Sequence, residues 1–389
     1  MRRLWAPISA LLIPLALVLG IWLGGHPDWL PGFARDTLVA DTDGRLYEQA
    51  IDTIERDYYR EIDREKLLDT ALSSAVDSLQ DQFSHYFDPE EYTNFQLDTE
   101  GAFFGVGMSV SEVKEGLRVE EVYDDSPAKE GGLKAGDVII SANGRSLRGM
   151  PSDKSTQLIK GPAGTKVTLK LKDGRELTLE RAKVDIPIVQ SQMKRAEGKK
   201  IAWVRLAAFT TGSGDDVKEA VEEKLDDGAT GVVLDLRHNG GGLLNEAVGV
   251  ASVFLKDGKV VSTKGRARPE RTYNAEGGAI DSDIPVVVLV DEASASASEI
   301  VTGALQDRKR ATVVGTRTYG KGVFQEIERL PNGGALDITV GEYFLPSGRN
   351  LGGGGVRKGA GVKPDIRASD DPKTPEDEAL DKALETVAG

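Results

Sequence analysis

Three short segments combine chemically useful side chains with glycine or serine, and each accompanies an apolar run. They are DLRHNGGG (235–242), SASASE (294–299) and GTRTYGKG (315–322). The serines follow PVVVLV, so a buried strand leads into a helix there and exposes a side chain beside free backbone N–H groups. Taken alone, the serine run would more simply supply a helix N-cap. In the third segment, Lys321 stands between two glycines after an apolar run, which raises the question of what chemistry it serves.

The lysine segment also fits a phosphate-binding loop, because four residues separate its glycines and a lysine follows the second. Such a loop needs Ser or Thr after the lysine to hold Mg²⁺, and a helix must begin there. Here Gly322 follows Lys321, and VFQEIERLPNGG predicts a strand and a turn. The sequence therefore argues against a nucleotide site.

From Ile201 onwards, short apolar runs alternate with helical patterns. The runs are IAWVRL, GVVLDL, PVVVLV and ATVV, and helices are expected at 213–225, 243–254 and 296–305. This alternation is typical of an α/β layer around a buried sheet, with GVVLDL and PVVVLV at its centre. A hairpin turning at Asn332 and Gly333 should follow, and the charged residues after Ala368 are expected to be an exposed end.

Two other regions precede this layer. The apolar spacing at 46–79 predicts two amphipathic helices, with Asp63 capping the second. DQFSHYFDPEEYTNFQ, which contains Pro89 and several aromatics, is expected to be a linker that packs on a neighbour. Residues 101–185 alternate β-branched runs with turn signals, including a KDG hairpin, and predict a compact domain of about five strands and two helices.

The segments NGGG, SASASE and YGKG, together with Gln325, resemble the motifs of the C-terminal processing peptidases, also called tail-specific proteases. The resemblance runs from about Leu46 to Ile366, and the region around 101–185 within it resembles a PDZ domain. It implies a Ser/Lys endopeptidase without metal or cofactor, whose substrates are delivered by a domain that recognises protein C-termini.

By position, the resemblance implies that Ser296 is the nucleophile, Lys321 its general base and Gln325 the residue that orients the lysine. It also implies that the N–H groups of Gly241 and Ala297 form the oxyanion hole. Burial must lower the lysine pKa by about 3 units, a cost of about 4 kcal/mol, because only an unprotonated amine is a base. Lys321 and Gln325 are four residues apart and share a face of either a strand or a helix.

In the PDZ-like region, FFGVGMSV matches the loop whose N–H groups receive a terminal carboxylate while the peptide adds a strand to the sheet. The resemblance assigns peptide contacts to four residues of this loop. It assigns an apolar pocket to two residues of the second helix, although a core role for either is equally well supported. These residues are Gly105, Val106, Gly107 and Met108 in the loop, and Leu158 and Ile159 in the helix.

A Ser-His-Asp triad is the rival chemistry, and the chain has three histidines. His26 lies at the N-terminal apolar stretch and His85 in the expected linker. His238 lies beside the glycine segment, three residues after Asp235. A role in loop packing is preferred for His238, because Lys321 already supplies a base.

The N-terminal stretch from Leu4 to Pro27 contains no Asp, Glu, Lys or Arg and follows two arginines. As a helix it would span a hydrocarbon core about 30 Å thick. The positive-inside rule then exports everything after residue 28. A retained signal-anchor is favoured because no clear small-x-small cleavage site precedes His26, and a cleaved signal peptide is the alternative.

The chain has 389 residues, no cysteine and a net charge of −14 spread along its length. This charge opposes binding to nucleic acid or to anionic lipid surfaces. The lack of cysteine excludes a disulfide framework and is compatible with a bacterial envelope protein. The expected partners are protein or peptide C-termini, the membrane through the N-terminal segment, and a second copy of the chain in a possible homodimer.

These features predict a multidomain α/β and α+β protein. Its parts are a signal-anchor or signal peptide (1–30), a helical cap (31–98), a PDZ-like β domain (99–185), an α/β serine protease core with a central buried sheet (186–367) and a charged C-terminal tail (368–389). The predicted function is cleavage of proteins near their C-termini at the extracytoplasmic face of a bacterial inner or cytoplasmic membrane. The alternatives are a catalytically silent PDZ scaffold and an envelope adaptor that recruits hydrolases.

Overall fold

The computed structural model of the protein describes Trp22 and residues 42–389, apart from Pro372 and Pro375. The predicted membrane segment from Leu4 to Pro27 therefore lies, except for Trp22, outside the described residues. Within those residues, no helix is both long enough and apolar enough to cross a membrane. The chain divides into two compact units between Gln80 and Asp81.

The first unit contains two helices, α1 (Thr42–Asp57) and α2 (Arg64–Asp77), where the apolar spacing predicts them. Asp63 caps α2, since its carboxylate accepts the N–H of Glu65 at 3.0 Å. Arg64 of α2 forms an ion pair with Asp52 of α1 at 2.8 Å. Both predicted helices and the predicted cap are therefore present.

The second unit begins with the segment DQFSHYFDPEEYTNFQ, and the prediction that this segment is a linker is wrong. It forms strand β1 (His85–Phe87) and helix α3 (Pro89–Thr99). Asp88 and Glu91 form a capping box at the start of α3. Pro89 lies in the first turn, where a missing N–H costs no intrahelical hydrogen bond. Proline at this position begins a helix instead of breaking one.

Residues 102–185 form the small β domain that the turn signals predict. Its elements are β2 (Ala102–Gly105), β3 (Met108–Val113), β4 (Gly116–Val122), α4 (Pro127–Glu130), β5 (Val138–Ala142), β6 (Arg145–Ser146), α5 (Ser152–Ile159), β7 (Lys166–Leu171), β8 (Glu176–Glu180) and β9 (Ala182–Asp185). The main sheet is antiparallel in the order β3-β4-β5-β7-β8, with β6 paired to β5, and β2 pairs with β9. The two short helices and the KDG hairpin between β7 and β8 are as expected.

The following region is the α/β layer. Its elements are β10 (Val189–Ala196), β11 (Lys199–Leu206), α6 (Ser213–Asp226), β12 (Val232–Asp235), α7 (Leu244–Ser252), β13 (Lys259–Lys264), β14 (Arg271–Asn274), β15 (Val286–Val290), α8 (Ala297–Asp307), β16 (Thr312–Gly315), β17 (Val323–Arg329), β18 (Ala335–Phe344), β19 (Ile366–Arg367) and α9 (Glu378–Ala388). The central sheet has the order β10-β11-β12-β15-β16-β19 and is parallel from β11 onwards. Every residue of β12 and β15 is buried, as their apolar runs predict, and this includes Asp235 at the end of β12.

A second sheet lies beside the catalytic candidates. Its order is β1-β18-β13-β14, and β17 also pairs with β18 through the predicted hairpin. The three segments with chemically useful side chains follow β12, β15 and β16 of the central sheet. Because parallel strands end at the same edge of a sheet, this topology brings the three segments together.

The prediction that the end of the chain is exposed is wrong for α9. Leu380, Ala383, Leu384 and Val387 are buried against residues of the central sheet such as Trp203. These apolar positions recur at helical spacing, and the many charges between them hide that pattern in the composition. The charged side chains occupy the opposite face of an amphipathic helix that covers one side of the sheet.

Candidate active site

Ser296 occupies the N-cap position of α8 in a strained backbone conformation. Its φ is +54° and its ψ is −114°, and a non-glycine residue there costs about 1–3 kcal/mol. A strained turn between a buried strand and a helix is a known way to present a nucleophilic serine. Ser296 lines a cavity of about 450 Å³.

The other two serines of the segment fasten it to the glycine segment. Ser294 donates its hydroxyl to the Leu236 carbonyl at 2.8 Å, and Ser298 donates to the Asn239 carbonyl at 2.8 Å. Both side chains are fully buried. The alternating serines therefore divide their roles, because two of them hold the loop while Ser296 borders the cavity.

The glycine segment approaches Ser296 more closely than a residue with a Cβ atom could. Gly241 has a φ of +108°, and a Cβ on it would lie 2.8 Å from the Cβ of Ser296. Its N–H donates to Asn239 Oδ1 at 2.9 Å, so this predicted oxyanion donor is engaged. The N–H of Ala297, the other predicted donor, has no hydrogen-bond partner in the part of the chain that the structure describes.

Lys321 precedes β17, and its amine faces the same cavity. Lys321 Nζ donates to Gln325 Oε1 at 2.7 Å, and Gln325 Nε2 donates to Thr339 Oγ1 at 2.9 Å. The amine also lies 4.5 Å from the ring centroid of Phe83. The structure therefore brings Lys321 and Gln325 into direct contact, whereas no hydrogen bond joins Lys321 Nζ to Ser296 Oγ among the described residues.

Burial lowers the pKa of Lys321, and this is the largest influence on the amine. The carboxylates of Asp337, Asp81 and Glu299 act in the opposite direction. The net shift is downward, which is the direction that a lysine base requires near neutral pH.

Glu299 connects the serine segment with the lysine segment. Its buried carboxylate accepts hydrogen bonds from the N–H groups of Ser296 (3.0 Å), Gly320 (2.7 Å) and Lys321 (3.0 Å), and from the hydroxyl of Thr318 (2.6 Å). Burial raises the pKa of Glu299. Glu299 was not among the residues predicted from the sequence, although an acid three residues after an N-cap serine is a capping-box signal.

Among the described residues, the rival triad of Ser296, His238 and Asp235 is not joined by hydrogen bonds. The His238 side chain is 75% exposed, and its Nδ1 lies 2.9 Å from Asp291 Oδ2. Asp235 instead pairs with Arg237 at 2.7 Å and accepts the indole N–H of Trp203 at 3.1 Å. No group of three His, Asp or Glu side chains that could hold a metal occurs within the described residues.

The loop predicted to receive a peptide terminus has its carbonyls occupied. The Val106 carbonyl accepts the N–H of Ala128 at 2.6 Å, and the Gly107 carbonyl accepts the N–H of Tyr123 at 3.1 Å. Gly107 has a φ of +85°, and a Cβ there would lie 2.2 Å from Ser126 Cβ. Within residues 42–389 as described, the N–H groups of Val106 and Gly107 have no hydrogen-bond partner. Such free donors at a tight turn can receive an anion.

The predicted apolar pocket residues differ in their exposure. Ile159 is 4% exposed and belongs to the core of the β domain, which is the alternative that the sequence left open. Leu158 and Met108 are partly exposed and pack against that core. Gly105 ends β2 and pairs with Ala182 of β9. Of the two helix residues, only Leu158 remains a candidate for contact with a peptide.

Three models of known families match this chain. A model of peptidase family S41 matches residues 200–368, and a PDZ domain model matches residues 94–172. A model described as the activating protease CtpB N-terminal domain matches residues 40–91.

Several known proteins are similar over most of the chain. A carboxy-terminal-processing protease of Bartonella bacilliformis is 37% identical over 78% of this chain and 70% of its own length. A probable CtpA-like serine protease of Staphylococcus haemolyticus is 33% identical over 80% of this chain, and the match spans 63% of that protein. The solved structure of a photosystem II D1 C-terminal processing protease has 28% identity and a TM-score of 0.51, covering 89% of this chain and 98% of that one.

Proposed function

Because this chain belongs to the carboxy-terminal-processing proteases, serine-type peptidases of family S41 with a PDZ domain, we propose that it cleaves proteins near their C-termini through a Ser/Lys dyad. One observation carries the proposal. Ser296, Lys321 and Gln325 line a single cavity, and the lysine there has a lowered pKa and an amide that orients it. The alternatives, a silent PDZ scaffold and an envelope adaptor, give no reason to desolvate a lysine beside a strained serine.

In the proposed reaction, Ser296 Oγ attacks the scissile carbonyl while Lys321 Nζ accepts the hydroxyl proton. The N–H of Ala297 stabilises the oxyanion, and the N–H of Gly241 joins it when it exchanges Asn239 Oδ1 for the substrate oxygen. The lysine then gives its proton to the leaving amine as the peptide C–N bond breaks. A water molecule, deprotonated by the same amine, hydrolyses the resulting ester and restores Ser296.

Recognition of the substrate tail is assigned to the loop from Gly105 to Met108. The free N–H groups of Val106 and Gly107 receive the terminal carboxylate, and the peptide extends the sheet as an additional strand. Leu158 contacts an apolar side chain at the end of the peptide. A peptide with an amidated C-terminus should therefore bind more weakly than the free acid by roughly 1.5–3 kcal/mol, the value of a hydrogen bond to a charged group.

The N-terminal segment is proposed to anchor the protein in the bacterial inner or cytoplasmic membrane with its catalytic part on the extracytoplasmic side. The uncharged stretch from Leu4 to Pro27 after Arg2 and Arg3 supports this location. Full-length protein should sediment with membranes and resist extraction by high salt. A mature N-terminus mapped near residue 25 would instead support the cleaved signal peptide.

The experiment that tests the dyad compares Ser296→Ala, Lys321→Ala and Lys321→Arg with the wild type. Each variant should lose peptidase activity by at least about 10⁴-fold, and the double alanine variant should be no worse than either single one, because the two residues act as a unit. Lys321→Arg should be inactive because arginine keeps its proton.

Peptide binding by the PDZ domain should survive in all of these variants. A fluorophosphonate probe should label wild-type Ser296, and failure to label it would favour the silent scaffold. An active Lys321→Ala variant would eliminate the dyad.

A further inference from the structure

Three carboxylates favour the protonated form of the Lys321 amine, and two of them accept hydrogen bonds from other donors. Asp81 accepts an N–H and a hydroxyl hydrogen bond from the turn that it begins, at 3.1 and 2.7 Å. Glu299 accepts the four hydrogen bonds described above. Asp337, on β18, lines the catalytic cavity, and its carboxylate neither accepts a hydrogen bond nor forms an ion pair within the described part of the chain.

Within the described residues, the charge of Asp337 is therefore offset only by groups with which it forms neither a hydrogen bond nor an ion pair. Burial raises the pKa of Asp337 to about 6, and Lys321 and His85 oppose that shift while Asp81 adds to it. His85 lies directly across from Asp337 in the antiparallel pairing of β1 with β18. Hence β1 and the residues before it bring Asp81 and Phe83 to the lysine and His85 to Asp337, and they belong to the site.

From this arrangement we propose that Asp337 is a positioning residue that sets the proton affinity of the Lys321 amine and thereby the lower pH limit of catalysis. The inference rests on the proposed function, in which Lys321 is the base. An anionic Asp337 stabilises the ammonium form of the lysine, because opposite charges attract across a cavity of low polarity. The lysine consequently keeps its proton to a higher pH than burial alone would allow.

Asp337 is suited to this role because its charge can be removed without removing a structural contact. Replacing Asp81 or Glu299 would break the hydrogen bonds that shape the site. A changed pH profile in such a variant could then reflect an altered structure instead of a lost charge. Asp337→Asn keeps nearly the same side-chain volume and removes only the charge. Asp337→Glu retains the charge and is the matched conservative variant.

Asp98→Asn is the second control. Asp98 on α3 lines the same cavity, and it is absent from the charged groups that influence Lys321. This variant changes an acid in the cavity wall without removing any of the three carboxylates that influence the amine. It is expected to keep the wild-type midpoint of the pH profile, whatever its effect on the rate.

The measurement is kcat/KM against pH with a peptide that carries a free C-terminus, supported by the pH dependence of Ser296 labelling by a fluorophosphonate, which needs no peptide. For Asp337→Asn, the acid limb should move to lower pH by about one unit, so that activity on that limb rises about tenfold above the wild type. Asp337→Glu and Asp98→Asn should follow the wild-type midpoint.

An Asp337→Asn profile that superimposes on the wild type, moves to higher pH or falls equally at every pH would overturn the inference. Asp337→Ser provides a second neutral variant. If neither neutral variant folds, judged by circular dichroism melting, Asp337 is a structural carboxylate and the inference is withdrawn. An active Lys321→Ala variant eliminates the proposed function itself, whereas an inactive one with an unshifted Asp337→Asn profile eliminates only this role of Asp337.

Discussion

Two glycine loops receive a negatively charged oxygen in the proposed function, and their resting hydrogen bonds differ. In the catalytic glycine loop (Asn239–Gly242), the N–H of Gly241 is donated to Asn239 Oδ1. In the tail loop (Gly105–Met108), the N–H groups of Val106 and Gly107 have no partner among the described residues, and the carbonyls of the same two residues are engaged. Both loops depend on a glycine with positive φ that packs against a serine.

The difference matches the lifetimes of the two anions. A terminal carboxylate is charged before it binds, so open donors at the tail loop add to binding affinity. An oxyanion exists only near the transition state, and a donor engaged until then adds little to ground-state binding. The two loops therefore show how similar backbone geometry can serve either ground-state recognition or catalysis, depending on the partner of the N–H groups at rest.

The largest test of this comparison removes the residue that joins the catalytic segments. Glu299→Ala leaves four donors without their acceptor, at a cost of about 1–3 kcal/mol for each buried one. We expect kcat/KM to fall by at least about 10³-fold and the thermal midpoint to drop. Tail-peptide binding, measured by calorimetry, should be unchanged.

Glu292→Ala is the matched control, because Glu292 is an exposed acid in the same connection between β15 and α8. It should retain wild-type stability and activity. Equal behaviour of the two variants would show that Glu299 does not organise the site.

The next test acts on the catalytic glycine loop. Gly241→Ala should lower kcat/KM by about 10²-fold, because its Cβ would lie 2.8 Å from Ser296 Cβ and displace an oxyanion donor. Gly240→Ala is its control, since a Cβ there meets nothing within 4 Å. Steady-state kinetics with one peptide should separate the two variants, and similar losses in both would contradict the assigned role of Gly241.

A smaller effect is expected at the tail loop. Gly107→Ala places a Cβ 2.2 Å from Ser126 Cβ at a positive φ, so the loop must shift. Affinity for a free-acid peptide should fall about tenfold or more, towards that of the amidated peptide. Fluorophosphonate labelling of Ser296 should stay at the wild-type rate. A variant that still distinguishes the two peptides would show that the carboxylate binds elsewhere.

The smallest effect is expected at His238, next to the catalytic glycine loop. His238→Ala removes the contact between the exposed His238 ring and Asp291, and such surface contacts contribute about 0–1 kcal/mol. Activity should remain within about threefold of the wild type. An inactive His238→Ala together with an active Lys321→Ala would replace the dyad by a histidine triad.

Much of the architecture could be predicted because it depends on local patterns. The apolar runs at β12 and β15 are too short and too hydrophobic for anything but buried strands, and Asn332-Gly333 marks its hairpin turn. The candidates Ser296, Lys321 and Gln325 were likewise accessible from their motifs and order. Pro89 led to the wrong prediction of a linker, because the capping residues beside the proline were not considered. The charges of α9 led to the wrong prediction of an exposed end, because the apolar periodicity between them was not considered.

By itself, the sequence determined the elements of the small β domain and of the central sheet, the order of the segments and the residues able to act as nucleophile and base, since these follow from side-chain chemistry and short-range periodicity. Only the tertiary structure decided which of the three serines borders the cavity, that Glu299 joins two segments, and that Asp337, on the strand opposite His85, lines the same cavity as Lys321. Burial and pairing between distant strands set those contacts, and with them the pKa values of the site. Neither the burial of a polar side chain nor the partner of a strand is encoded in the spacing of neighbouring residues.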